Sequence, residues 1–179
     1  MTMGEVEEQK MENVEVRAVV VTVSDRSARG ERVDESGALL VELLSEAGAT
    51  VVLKEIVTDD LEPLTAALRA LADRDDVNLV VTTGGTGLSP RDNTPEATRA
   101  VVEREAPGLA EAMRAETLRQ TPTAMLSRGV CGVRSGALIV NLPGSPKGVR
   151  ECFEVIRPVL RHAVALLAGR GAHDDERQK

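Results

Sequence analysis

Two stretches of this chain carry residue types that can bind and hold an anion. The first is Thr82–Gly87, T-T-G-G-T-G, which directly follows an apolar run. Glycines let the backbone come close to a ligand, and successive N–H groups form a concavity that attracts negative charge. The stretch is not a P-loop, which would continue Lys-Ser or Lys-Thr, and it is not the G-x-G-x-x-G of a dinucleotide-binding turn. Gly84-Gly85 alone would be explained as a strand-ending turn, but S-P-R-D-N-T-P-E follows at once. Arg91 adds a guanidinium, Asp92 a carboxylate, and Thr94-Pro95-Glu96 the start of a helix. Backbone donors, a cation and a helix dipole then converge with Thr86 and Gly87 on one anion. On this reading Gly85→Val weakens ligand binding and leaves the fold nearly intact.

The second stretch is Leu142–Gly148, L-P-G-S-P-K-G. Pro143 and Pro146 stiffen it, and Gly144 opens it around Ser145. Lys147 stands at the mouth of the last predicted helix, where a cation opposes the helix dipole unless it meets an anion.

Four carboxylates, Asp25, Asp59, Asp60 and Asp92, fall on loops at the same rim. Two like charges ~4 Å apart repel by about 4 kcal/mol at an effective dielectric of about 20. Acids beside a phosphate site therefore ask for a cation between them, and Mg²⁺ needs only one or two protein carboxylates. Other reactive residue types are poorly placed. His162 lies inside the last helix and His173 in a charged tail. Cys131 and Cys152 have no CxxC partner and read as small buried hydrophobes. Arg26, Arg29 and Arg32 read as solvated, although their loop could close over a ligand. Ser127-Arg128 fits a site or a loop end equally.

These residues must be positioned by alternating strands and helices. Strands are predicted at Val16–Val23, Thr50–Val57, Asn78–Thr83 and Ala137–Asn141. Helices are predicted at Ser36–Ala47, Leu61–Ala72, Thr94–Arg104, Gly108–Leu118 and Pro146–Ala168, the last interrupted at Pro158. In the second of these, Leu61, Leu64, Leu68 and Leu71 share a face, and Asp59-Asp60 could cap it. Continuous apolar strands are what a sheet covered on both faces requires, so the fold class is α/β with a mostly parallel, doubly wound sheet. Ligands bind such sheets at the carboxyl ends of the strands, here the loops Ser24–Arg32, Thr58–Asp60, Gly84–Asp92 and Leu142–Lys147.

Length and composition agree with this frame. The chain has 179 residues, 42% of them hydrophobic, which suits one domain, expected at 14–168 with disordered tails at 1–13 and 169–179. It has no Trp, no Tyr and one Phe, Phe153, so bases have almost nothing to stack on. Its net charge of −7 has the wrong sign for a phosphate backbone. Nucleic acid is therefore not an expected partner. The start of the chain has no basic and apolar signal pattern, and no apolar run approaches the ~20 residues that span a membrane. The expectation is a cytoplasmic protein without membrane contact.

V-T-V-S-D after the first strand, T-T-G-G-T-G…S-P-R-D-N-T-P-E-A-T, A-M-L-S-R and N-L-P-G-S-P-K, in this order over about residues 16–168, together resemble the MogA/MoaB family of molybdenum cofactor biosynthesis. The resemblance implies a three-layer α/β/α domain that assembles as a homotrimer, in some members a hexamer. It implies that the substrate molybdopterin attacks ATP with its terminal phosphate, with Mg²⁺ present, giving adenylyl-molybdopterin and pyrophosphate. Asp92 and Asp59 match the family's catalytic and metal-associated aspartates. Ser24 and Asp25 match its first loop, and Gly84, Gly85, Thr86 and Gly87 its phosphate loop. Ser127, Asn141, Pro143, Gly144 and Ser145 match its pterin and nucleotide rim. Two alternatives stay open: a MoaB-like protein that binds molybdopterin with little or no catalysis, and a scaffold that hands it to a metal-insertion partner protein.

Overall fold

The β-branched runs of the sequence become the central strands. The computed structural model describes residues 14–169; of the tails expected at 1–13 and 169–179, all but Gly169 lie outside the described residues, as does His173. In chain order the elements are β1 (Arg17–Val23), α1 (Asp25–Ala28), α2 (Glu35–Glu46), β2 (Thr50–Val57), α3 (Leu61–Ala72), β3 (Leu79–Thr83) and α4 (Thr94–Arg99). Then follow β4 (Arg104–Glu105), α5 (Pro107–Leu118), a 3₁₀ turn (Pro122–Leu126), β5 (Cys131–Arg134), β6 (Ala137–Leu142) and α6 (Pro146–Leu167).

The six strands form one sheet in the order β2-β1-β3-β6-β5-β4. β1 pairs in parallel with β2 and β3, and β3 in parallel with β6. β5 and β4 add an antiparallel edge. Alternate residues of the central strands feed opposite faces, as the pleat demands. Val20, Val81 and Val140 join Leu40, Met113 and Phe153 in one apolar layer. Val19, Val80 and Ile139 join Leu64, Leu68 and Ala97 in the other. The expected three-layer arrangement is therefore present, with α2, α5 and α6 on one face and α3 and α4 on the other. Each fully buried Leu, Ile or Phe contributes roughly 1.5–3 kcal/mol to holding the layers together.

Four expectations are corrected. The helix from Thr94 stops at Arg99, and the chain turns out to form β4 against Val133 and Gly132. Ser24–Arg32 is not all loop: Ser24 caps the single-turn α1, its hydroxyl accepting Ser27 N–H at 3.2 Å. Leu61 is 43% exposed, and the buried face of α3 is Leu64, Leu68, Leu71 and Ala72. Pro158 does not interrupt α6. It lies on the exposed face, where water can satisfy the carbonyl that its missing N–H leaves free.

Candidate functional site

The chain moves outward from β1 to β2 and returns across β1 to β3, so the loops after β1 and β3 part at a topological switch point. The loop after β3 has Gly84 at φ +104° and Gly85 at φ +63°, a region that side chains rarely adopt. A Cβ on Gly84 would stand 2.4 Å from Val23 O, and one on Gly85 2.4 Å from Thr94 Oγ1. Gly85→Val therefore strains the fold itself, contrary to the expectation from sequence. Thr94 Oγ1 donates to Gly84 O at 2.8 Å and Thr94 N–H to Gly85 O at 3.1 Å, tying the loop to the start of α4. Gly84 N–H donates to Leu142 O at 3.2 Å and Thr83 Oγ1 to Pro143 O at 2.7 Å, tying it to the loop after β6. Gly144 packs onto it so closely that an added Cβ would lie 3.1 Å from Gly84 Cα.

On one side of this loop lies a cavity of about 220 Å³ lined by Ser24, Arg32, Asp34, Asp59, Gly84, Gly85 and Asp92, among others. Asp25 N–H donates to Asp59 Oδ2 at 2.7 Å, and Asp59 N–H returns a bond to Asp25 Oδ1 at 3.0 Å. Arg91 lies 2.5 Å from Asp25 Oδ2 and 3.1 Å from Asp60 Oδ1. Arg91, expected beside a bound anion, is thus paired with two acids. Asp60 is the N-cap residue of α3 by position but makes no capping bond. Asp92 is not a helix cap either: Asn93 holds that position, and Asp92 Oδ2 accepts Ser89 N–H at 2.9 Å. The Asp59 N–H bond and the Arg91 guanidinium hold the Asp25 carboxyl below the ordinary carboxylate value. Burial moves Asp59 the other way, above it.

On the other side a cleft of about 350 Å³ is lined by Thr86, Gly87, Ala110, Met113, Ser127 and Lys147, with Asn141, Pro143, Ser145 and Glu151 also in its wall. Ser145 caps α6, accepting Gly148 N–H at 3.1 Å. Asn141 is buried, with Oδ1 accepting Val130 N–H at 3.1 Å and Nδ2 donating to Thr98 Oγ1 at 2.9 Å and Thr82 Oγ1 at 3.1 Å. It therefore braces the sheet edge as well as facing the cleft. Lys147 finds its anion in its own helix, with Nζ 3.7 Å from Glu151 Oε1.

Arg128, which the sequence leaves ambiguous, reaches across the glycine-rich loop. Nε donates to Gly87 O at 2.7 Å, Nη2 to Asp92 O at 2.5 Å, and Nη1 pairs with the Glu96 carboxylate. Its own N–H donates to Thr86 O at 2.8 Å. A planar fork of donors can hold two carbonyls and a carboxylate at once, which an ammonium cannot. Arg128 thus fixes the backbone between Gly87 and Asp92. Arg114 and Glu151 in the cleft wall, and Asp34 in the smaller cavity, are also missed by sequence reasoning. Asp34 caps α2 through Gly37 N–H at 2.9 Å and pairs with Lys54 Nζ at 2.7 Å. The sequence signal for Asp34 is an acid just before a helical apolar pattern; Lys147 is marked by its place at the mouth of the last helix, and Glu151 only by its i, i+4 spacing from Lys147.

Among the described residues no group of three or more His, Cys, Asp or Glu could hold a metal ion. Asp59 and Asp92 do face one cavity, and two carboxylates fit a Mg²⁺ that shares its remaining positions with phosphate and water. Cys131 and Cys152 are buried, which pushes their thiols up to about 12 and about 11, so neither supplies a thiolate near neutral pH.

The family described as "Probable molybdopterin binding domain" matches residues 19–162. The chain is 45% identical over 149 residues to the molybdenum cofactor synthesis protein cinnamon of Drosophila melanogaster, covering 83% of this chain but only 25% of the fly protein. It is 43% identical over 152 residues to the molybdopterin adenylyltransferase of Helicobacter pylori, covering 84% of this chain and 86% of that one. The crystal structure of the molybdopterin biosynthesis enzyme MoaB from Thermus thermophilus is 51% identical with a TM-score of 0.81, covering 86% of this chain and 97% of that chain.

Proposed function

The chain belongs to the molybdopterin-binding domain family of molybdenum cofactor biosynthesis, and on that premise we propose that it transfers the adenylyl group of ATP to molybdopterin. A phosphate oxygen of molybdopterin attacks the α-phosphorus of ATP, the bond from that phosphorus to the β-bridging oxygen breaks, and pyrophosphate leaves with the electron pair. The observation that carries this reading is the glycine-rich loop, which separates a cavity facing two carboxylates from a larger cleft of mixed lining. Two reactants with phosphates need such a divide, with their phosphates meeting at the loop.

The substrate's own phosphate is the nucleophile, so the protein's work is positioning and charge stabilisation. The N–H groups of Gly85, Thr86 and Gly87 donate to phosphate oxygens, Gly84 N–H being held by Leu142 O, and Arg128 holds the backbone that presents them. Arg32 faces the polyphosphate from the loop after β1. Asp59 and Asp92 would hold Mg²⁺, which would offset charge on the polyphosphate. Burial makes the charge on Asp59 costly, a cost that a neighbouring cation relieves. Ser127, Pro143, Ser145 and Lys147 border the pterin side. The chain assembles as a homotrimer, or a hexamer built from trimers, works in the cytoplasm, and passes its product to a metal-insertion protein.

The test is pyrophosphate release from ATP, Mg²⁺ and molybdopterin. Release that needs all three supports the adenylyltransferase. Tight molybdopterin binding without release would instead support a MoaB-like binding protein. Sedimentation at micromolar concentration tests the assembly, and a monomer there would contradict it.

A further inference from the structure

Glu151 sits in the second turn of α6, in the wall of the larger cleft, with its side chain 14% exposed. Its polar neighbours in that wall are engaged with the protein. Thr117 Oγ1 donates to Met113 O at 2.7 Å, the Thr121 and Thr123 hydroxyls pair at 2.9 Å, and Arg114 Nη1 donates to Gly129 O at 3.0 Å. Glu151 differs. Among the described residues its carboxylate has one charged neighbour, Lys147 Nζ at 3.7 Å, beyond hydrogen-bond range. Helix stability does not explain that pair. Lys147 stands at the positive end of the helix dipole, and Lys four residues before Glu is the weaker orientation of an i, i+4 pair. The carboxylate, 14% exposed and facing the cleft, therefore keeps both oxygens available as acceptors for a ligand that presents two adjacent donors.

We propose that Glu151 is the specificity-determining residue of this cleft, its two carboxylate oxygens accepting the N3–H and 2-amino donors of a 2-amino-4-oxo pteridine edge. The inference rests on the reading that this cleft takes the pterin end of molybdopterin. Two adjacent donors match two acceptors in the bidentate manner that makes charge-assisted pairs strong. Adenine presents one amino donor beside a ring acceptor and cannot make the same match, so the nucleotide is turned away from this cleft.

The experiment measures binding of pterin and of lumazine, in which the 2-amino donor is replaced by a carbonyl acceptor. Ligand fluorescence serves as the readout, because the chain has no Trp or Tyr to obscure it. Wild type is expected to prefer pterin by about 10–100-fold. In Glu151→Gln the amide can donate to the lumazine carbonyl, so the preference is expected to vanish or invert. Glu151→Asp, still a carboxylate, is expected to keep the preference at reduced affinity, and melting temperatures report whether each variant is folded. Equal binding of the two probes by wild type, or an unchanged preference in Glu151→Gln, overturns the role of Glu151 alone. Binding of neither probe by wild type overturns the pterin reading of the cleft, and the inference with it.

Discussion

On one side of Gly84–Gly87 the chain gathers Asp25, Asp59, Asp60 and Asp92 around Arg91; on the other it places Ala110, Met113, Thr117 and Glu151 along two helices. The first side is built from strand-end loops that lock one another through reciprocal bonds, such as Asp25 with Asp59. The second is built from α5, α6 and the 3₁₀ turn, and several of its polar groups face protein partners. The contrast separates two tasks. A crowded set of charges suits the handling of a polyphosphate, where developing charge must be met. A cleft with apolar floor and few free polar groups suits a ring held by shape and by a small number of placed contacts.

If that division is right, the largest effect comes from the acidic side. Asp92→Asn keeps an acceptor for Ser89 N–H and removes the charge. We expect kcat to fall by ~10²–10⁴-fold, with molybdopterin affinity and Tm little changed. Equal loss of affinity and turnover would mean that the two sides are not separate. Gly84→Ala attacks the divide itself, placing a Cβ 2.4 Å from Val23 O at φ +104°. A loss of about 2–4 kcal/mol of stability is expected in denaturant unfolding.

Arg128→Lys should act on both sides more gently. It removes the fork that spans Gly87 O, Asp92 O and Glu96. We expect about 1–2 kcal/mol lower stability and a rise in the KM of ATP of about tenfold, read by thermal unfolding and steady-state kinetics. The smallest effect distinguishes two acids within one side. Asp25 is held below its ordinary value, so its contribution to stability is present above about pH 4 and is lost as pH falls through the folded-state value. Asp59 is raised by burial, so its contribution is present at low pH and lost as pH rises through the folded-state value. Ionised Asp59 therefore costs stability at neutral pH. Asp59→Asn is expected to raise Tm slightly at pH 7 while turnover falls, and Asp25→Asn to lower Tm.

The acidic side was legible in sequence because each of its groups follows a strand. Ser24-Asp25 after β1, Thr58-Asp59-Asp60 after β2 and Gly84-Gly85 after β3 announce strand-end loops, and parallel topology brings those loops together. What the loops do to one another was not legible. Arg91 could be seen as a cation, but its capture by Asp25 and Asp60 depends on the distance between two loops. The cleft was harder to see. Ala110, Met113 and Thr117 follow an ordinary helical pattern, and nothing local marks which helix face borders a cavity. The antiparallel edge was missed as well: β4 has two residues and β5 begins Cys131-Gly132, too short and glycine-broken to read as strands. Pro158 misled in the opposite direction, because its effect on α6 depends on exposure and not on residue type.

The most direct test of the central claim is a single-turnover reaction with ATP labelled at its α-phosphate. In the wild type label is expected to move onto molybdopterin. In Asp92→Asn label is expected to stay on ATP over the time in which the wild type completes its turnover, while molybdopterin binds with unchanged Kd. Transfer at the wild-type rate in Asp92→Asn, or no transfer by a wild type that binds both substrates, would contradict it.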